Sequence, residues 1–119
     1  MTYHILIVGD EPVTQKFLDI LLRLSGHIVA AAQSAGEALE LLAHRRYDVI
    51  MPGMSGEDLY RHIQHHWPEA APRVVFATAA TLGEAFRFRH GERAVPILTK
   101  PYTPDRLLQT IDDVVRRNE

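Results

Sequence analysis

The chain has 119 residues, of which 46% are hydrophobic and 24% charged, and it carries a net charge of −2 at pH 7. We therefore expect one globular domain, residues 1–119, that binds neither nucleic acid nor a membrane, because a small negative charge attracts neither surface. The lack of cysteine excludes disulfides and thiolate metal sites. The apolar amino-terminal run is too short for a signal peptide or a membrane span, so we expect a cytoplasmic protein.

Five apolar runs alternate with five amphipathic segments along the chain. The predicted strands are residues 3–8, 27–32, 49–51, 73–78 and 94–98. The first, third and fourth predicted helices are residues 13–24, 56–67 and 82–90. The second is capped by Ser34 and ends at residues 44–46, and the fifth is capped by Thr103. Strands and helices that alternate with short connections predict an α/β fold, in which helices cover both faces of a parallel sheet.

Acidic, hydroxyl and basic residues end or follow several of these strands. The candidates are Asp10 with Glu11, Asp48, Thr78 and Lys100. Asp48 stands shortly before a Pro-Gly turn signal, so we expect it near a strand end. Parallel sheets bind ligands outside the carboxyl ends of their strands, where these groups would share one pocket. Carboxylates, a hydroxyl and a lysine suit a hard divalent cation such as Mg²⁺ and a phosphoryl group.

Four motifs in chain order resemble the receiver domain of two-component response regulators and hybrid histidine kinases. They are Asp10-Glu11-Pro12 after an apolar strand, the run from Asp48 to Gly56, Thr78-Ala79 and Thr99-Lys100-Pro101. The resemblance covers the whole chain and implies a flavodoxin-like, doubly wound sheet of five parallel strands in the order 2-1-3-4-5, with five helices. It also implies a signalling switch that is no enzyme beyond its own phosphorylation and dephosphorylation. Its phosphoryl donor would be a histidine kinase or a phosphotransfer protein.

The resemblance assigns a role to each candidate residue. Asp48 would be the phosphoacceptor. Asp10, Asp48 and the backbone carbonyl of Ile50 would bind Mg²⁺. Thr78 would donate a hydrogen bond to the phosphoryl oxygens, and Lys100 would pair with them. Phosphorylation would then shift an equilibrium in the fourth helix and the fifth strand.

Two single positions depart from the family pattern. Gly9 stands where the family usually has the first of two acids, which would weaken metal binding, and Glu11 is a partial substitute. Ile97 stands where many members carry an aromatic switch residue, so a change of aromatic rotamer cannot signal phosphorylation at this position.

The third strand is a larger departure from the family pattern. Only Val49-Ile50 separates Tyr47-Asp48 from Met51-Pro52 in the sequence, so roughly five residues of apolar strand are missing. In one alignment Asp48 opens the third strand and the acceptor is lost. In the other, Asp48 is the acceptor and the strand before it is lost. We favour the second alignment because residues 48–56 match the acceptor loop at every step.

The favoured alignment needs a replacement for the lost strand. The charged segment 44–48 could enter the sheet, or the second helix could unwind and supply Leu41-Leu42-Ala43. Either repair would strain the fold. A shortened central strand also raises the hypothesis of a homodimer or an element-swapped dimer.

Two other functions compete with the phosphoacceptor. A pseudo-receiver would keep the fold and act as an interaction or dimerisation module that accepts no phosphate. A phosphatase of the haloacid-dehalogenase type would need a second Asp two residues after Asp48, where Ile50 stands. Three histidines at helical spacing, at positions 62, 65 and 66, are interpreted as a solvated helix face rather than as a metal site.

Overall fold

The computed structural model describes residues 2–9, 12–52, 57–78, 89–90, 93–94, 97–99 and 103–118. In these residues the strands are β1 (His4–Val8), β2 (Ile28–Ala32), β3 (Val49–Pro52), β4 (Phe76–Thr78), β5 (Arg89–His90), β6 (Arg93–Ala94) and β7 (Ile97–Thr99). The α-helices are α1 (Pro12–Leu24), α2 (Ala35–His44), α3 (Glu57–His66) and α4 (Pro104–Arg117), and a 3-10 turn covers Ala71–Arg73. In this part of the chain, no helix is long and apolar enough to span a bilayer.

The main strands pair in parallel, as the sequence predicts. β1 lies between β2 and β3, so that Ile5 is opposite both Val29 and Val49. β4 pairs in parallel with β7, and a bridge between Ile50 and Val74 connects β3 to the segment that leads into β4. β5 and β6 form a separate antiparallel pair. The parallel sheet is confirmed, while the complete five-strand order and the count of five helices stay predictions.

Alternate side chains of β1 point into two separate hydrophobic layers. Ile5 and Ile7 pack in the layer that contains buried residues of α1 and α4, and Leu6 and Val8 pack in the layer that contains buried residues of α2 and α3. All four of these β1 side chains are buried. Because both faces of the sheet are covered, its strands have continuous apolar runs in place of a polar-apolar alternation.

The third strand forms without either of the two replacement segments that the sequence suggested. α2 remains helical to His44, residues 45–47 connect it to the sheet, and the four residues of β3 are all buried. Pro52, predicted to lie in a turn, is instead the last residue of this strand. The predictions that residues 44–48 or 41–43 would enter the sheet are therefore wrong. The observed strand leaves the charged residues 44–46 exposed to solvent, which avoids the cost of burying them.

The region of the predicted fourth helix, residues 82–90, lies mainly outside the described residues. Its last two residues, Arg89 and His90, form β5, so the predicted helix is wrong at that end. The predicted fifth strand, residues 94–98, is confirmed in part, because β7 contains Ile97 and Leu98 whereas Ala94 belongs to β6.

Both predicted helix caps are confirmed. The Oγ of Ser34 accepts a hydrogen bond from the N–H of Glu37 at 3.2 Å, and the Oγ1 of Thr103 accepts one from the N–H of Arg106 at 3.1 Å. The carboxylate of Glu37 also accepts a hydrogen bond from the N–H of Gln33 at 2.6 Å, so the first turn of α2 is held from both sides.

We expect Ser34→Ala to lower the free energy of unfolding by about 1 kcal/mol, because an N–H at the start of α2 loses its acceptor. Ser34→Asp keeps an acceptor and is expected to retain most of that stability. Urea denaturation of the parent and both variants measures the difference. Equal midpoints for the parent and Ser34→Ala would show that the cap contributes nothing.

Candidate functional site

The carboxyl ends of the strands meet at one edge of the fold, which we call the carboxyl edge. Val8, the last residue of β1, lies opposite Pro52, the last residue of β3. Thr78 and Thr99 end β4 and β7 and are opposite each other. The backbone of Thr78 is thus at the predicted edge, and its role in phosphoryl binding stays a prediction. Asp10, Glu11 and Lys100 lie outside the described residues, and their predicted roles stay predictions too.

Asp48 lies at the other end of the sheet, which we call the amino edge. Its N–H donates to the carbonyl of His4 at 2.7 Å, and its Oδ2 accepts a hydrogen bond from the N–H of His4 at 2.8 Å. His4 is the first residue of β1, and Asp48 immediately precedes β3. The side chain of Asp48 therefore closes the starting end of the β1–β3 pair, where the ladder would otherwise leave an N–H without a partner.

The prediction that Asp48 follows the carboxyl end of a strand is wrong. The four residues of β3 separate it from that edge, which amounts to about 13 Å at ~3.3 Å per residue. The register fits the first alignment, in which Asp48 opens the third strand. Residues 49–56, which form β3 and the positions directly after it, contain neither Asp nor Glu.

The geometry of Ile50 does not support its predicted role as a metal ligand through the backbone carbonyl. Ile50 is in the middle of β3, its side chain is fully buried, and its carbonyl oxygen accepts a hydrogen bond from the N–H of Val75 at 2.8 Å. Mg²⁺ requires oxygen ligands that converge on one point in nearly octahedral geometry. Asp48 and Ile50 do not meet at the carboxyl edge, so the predicted set of three ligands does not fit Mg²⁺. In the described residues no cluster of three or more His, Asp or Glu side chains could hold a metal ion.

The amino edge contains a cleft of about 510 Å³, which we call the amino-edge cleft. One wall is the connection between α2 and β3, and the other is the segment from Trp67 to Arg73. The charged and titratable groups along it are His44, Arg45, Arg46, Tyr47, Glu69 and Arg73. The sequence alone does not predict this cleft, and the basic run at 44–46 is its one local signal.

The charges of Arg46 and Arg73 act on each other in this cleft. Burial lowers the pKa of Arg73, and the charge of Arg46 lowers it further, while Asp48 and Glu69 act in the opposite direction. Arginine remains protonated at neutral pH despite such a decrease. In the described part of the chain, the guanidinium groups of Arg45, Arg46 and Arg73 form neither an ion pair nor a hydrogen bond.

The three histidines of α3 form an exposed group, as predicted. The ring centroids of His62 and His66 are 4.2 Å apart in a stacked arrangement, and His65 meets His66 edge to face at 5.0 Å. Desolvation lowers the pKa of His66, and the neighbouring charges of His62 and His65 lower it further.

Several known proteins are similar to this chain in sequence and in fold. A family model described as the response regulator receiver domain matches residues 5–112. Protein PilH of Pseudomonas aeruginosa is 30% identical over 119 aligned positions, which cover 94% of this chain and 97% of PilH. A crystal structure of a response regulator receiver domain protein from Clostridium thermocellum superposes with a TM-score of 0.83 at 29% identity, covering 96% of this chain and 94% of that one.

A longer relative also aligns over nearly the whole chain. The transcriptional regulatory protein GlrR of Escherichia coli is 29% identical over 120 aligned positions, and the chain spans only 27% of its length. The alignment covers 97% of 119 residues, or about 115, so about five of its 120 positions have no residue in this chain.

Proposed function

Because the chain belongs to the response regulator receiver domain family, we propose that it acts in two-component signalling as a pseudo-receiver. It would keep the receiver fold and bind partner proteins without accepting a phosphoryl group on Asp48. The observation that carries this proposal is the position of Asp48 at the amino edge, hydrogen-bonded to the N–H of His4.

Phosphoryl transfer depends on position and on charge neutralisation. An acceptor carboxylate must therefore stand beside the hydroxyl and the lysine that stabilise the phosphoryl oxygens. Asp48 is separated from the end of β4, where Thr78 lies, by the length of β3. Its carboxylate already accepts a hydrogen bond within the fold, and no other acidic residue occurs up to Gly56. These facts support a receiver fold that lacks the acceptor of the third strand.

The proposed partners are those that the family relationship suggests, a histidine kinase or a phosphotransfer protein. Docking to either would use the surface of the fold and would not depend on a phosphoryl donor. A homodimer, an element-swapped dimer and a cytoplasmic location stay predictions of the sequence. The competing function, a phosphoacceptor that uses Asp48 and Mg²⁺, predicts the opposite result in the experiment that follows.

Intact-mass spectrometry after incubation with acetyl phosphate and Mg²⁺ tests the proposal. We expect neither the parent nor Asp48→Asn to gain a phosphoryl group, while a receiver domain known to be phosphorylated, run in parallel, confirms that the donor is active. The mass of the untreated protein verifies that the chain has 119 residues and therefore the short third strand.

Two results would contradict the pseudo-receiver. A phosphoryl group on the parent that is absent from Asp48→Asn would identify Asp48 as the acceptor despite its position. A phosphoryl group on both proteins would locate the acceptor elsewhere, and peptide mapping would then test Asp10 first.

A further inference from the structure

The amino-edge cleft has the size of a small-molecule site. Its volume of about 510 Å³ falls within the range of roughly 300–1,000 Å³ that is usual for ligand pockets. It opens on the side of the sheet opposite the carboxyl edge, so it is separate from the place where this family is expected to bind phosphate. Its walls come from two segments of the chain, residues 42–47 and residues 67–73, which the sheet and α3 bring together.

Charge in the cleft is strongly unbalanced. Three guanidinium groups line it, those of Arg45, Arg46 and Arg73, against the single carboxylate of Glu69. Like charges that lie close together repel each other, and a bound anion would relieve that repulsion. The planar guanidinium group presents paired N–H donors that match the oxygens of phosphate or carboxylate. A phosphomonoester carries about 1.5 to 2 negative charges at pH 7. The lining has a surplus of two positive charges, three arginines against Glu69, or of one when Asp48, which also acts on Arg73, is counted.

An aromatic ring forms part of the same wall. Trp67 is partly buried and lines the cleft beside Glu69 and Ala70. Its indole ring is tilted against His62 and His66, with centroids 6.2 Å and 6.0 Å away, so the α3 histidines support it from outside the cleft. A flat or apolar group of a ligand could pack on such a ring while its charged end meets the arginines.

We propose that the amino-edge cleft binds a small organic phosphate. Its phosphate would contact Arg45, Arg46 and Arg73, and its carbon skeleton would pack against Trp67. The site is independent of phosphorylation at the carboxyl edge, so the outcome of the acetyl phosphate experiment does not decide it.

The chain provides its own reporter for this test, because Trp67 is its only tryptophan. Intrinsic fluorescence is measured during titration with ribose 5-phosphate, ribose, inorganic phosphate and citrate. We expect a saturable change with ribose 5-phosphate that weakens as NaCl is added, since salt screens exposed charges. We expect no change with ribose and weaker binding of inorganic phosphate and citrate.

Three variants, each of which removes one positive charge, test which arginines bind the phosphate. Arg46→Gln and Arg73→Gln are each expected to raise the Kd for ribose 5-phosphate at least about tenfold, since each removes a charged hydrogen-bond donor. Arg106→Gln, on the exposed first turn of α4, is the matched control and is expected to stay within about twofold of the parent. Arg46 is also exposed, so its replacement leaves the core intact, and circular dichroism verifies the fold of each variant.

Several results would overturn the proposal. These are the absence of a saturable change with ribose 5-phosphate, equal binding by Arg46→Gln and the parent, and binding of citrate as tight as that of ribose 5-phosphate. Inorganic phosphate that binds as tightly as ribose 5-phosphate would overturn the role of Trp67.

Discussion

Replacing Asp48 with alanine is expected to lower the free energy of unfolding by about 1–3 kcal/mol, because the N–H of His4 loses a charged acceptor at a partly buried site. Asp48→Asn keeps a side-chain oxygen in the same place and is expected to cost less. The measurement is urea denaturation followed by circular dichroism, with the slope of the transition compared among variants to verify two-state unfolding.

Asp113→Ala is the matched control for this experiment. Asp113 is exposed on α4 and accepts a hydrogen bond from Gln109, so its loss is expected to change stability by less than about 0.5 kcal/mol. If Asp48→Ala were as stable as this control, the carboxylate would not be holding the start of β1. The contrast therefore tests the placement of Asp48 on which the proposed function rests.

The position of Asp48 shows why a motif can mislead when the strand that carries it has changed length. Residues 48–56 match an acceptor loop in order and spacing, and that local match favoured the wrong alignment. The register of a strand is set by which side chains the sheet buries. Here Val49, Ile50 and Met51 are the apolar residues available, and burying them puts Asp48 before the strand. The charged residues 44–46 then stay in solvent.

Features that depend on local sequence were predictable. The cap at Ser34, the strand from His4 to Val8 and the apolar face of α4 follow from patterns within a few residues of each other. The amino-edge cleft was not predictable in this way, because Arg46 and Arg73 are brought together by β3 and α3. Nothing near either arginine in sequence indicates the other.

The missing residues of the third strand lead to the prediction with the largest expected effect. Insertion of Leu-Leu-Asp-Val-Val between Ile50 and Met51 restores the family's spacing between Tyr47-Asp48 and Met51-Pro52. The two inserted leucines would take the places that Met51 and Pro52 have at the end of β3, so the inserted Asp would directly follow the strand at the carboxyl edge, on the same edge as Thr78. The two inserted leucines continue the alternation of β3 between the two hydrophobic layers. We expect this variant, unlike the parent, to gain one phosphoryl group from acetyl phosphate and Mg²⁺.

The matched control is the same insertion with Asn in place of the inserted Asp, which is expected to gain none. A phosphoryl group on the Asp insertion alone would show that the other groups of the carboxyl edge are still able to support phosphoryl transfer. In that case the acceptor is the only essential group that the shortening removed. Cooperative unfolding of both insertion variants is the condition for interpreting the result. A folded variant that gains no phosphoryl group would contradict the prediction, because Asp10, Thr78 and Lys100 would then not form a working site even with an acceptor beside them.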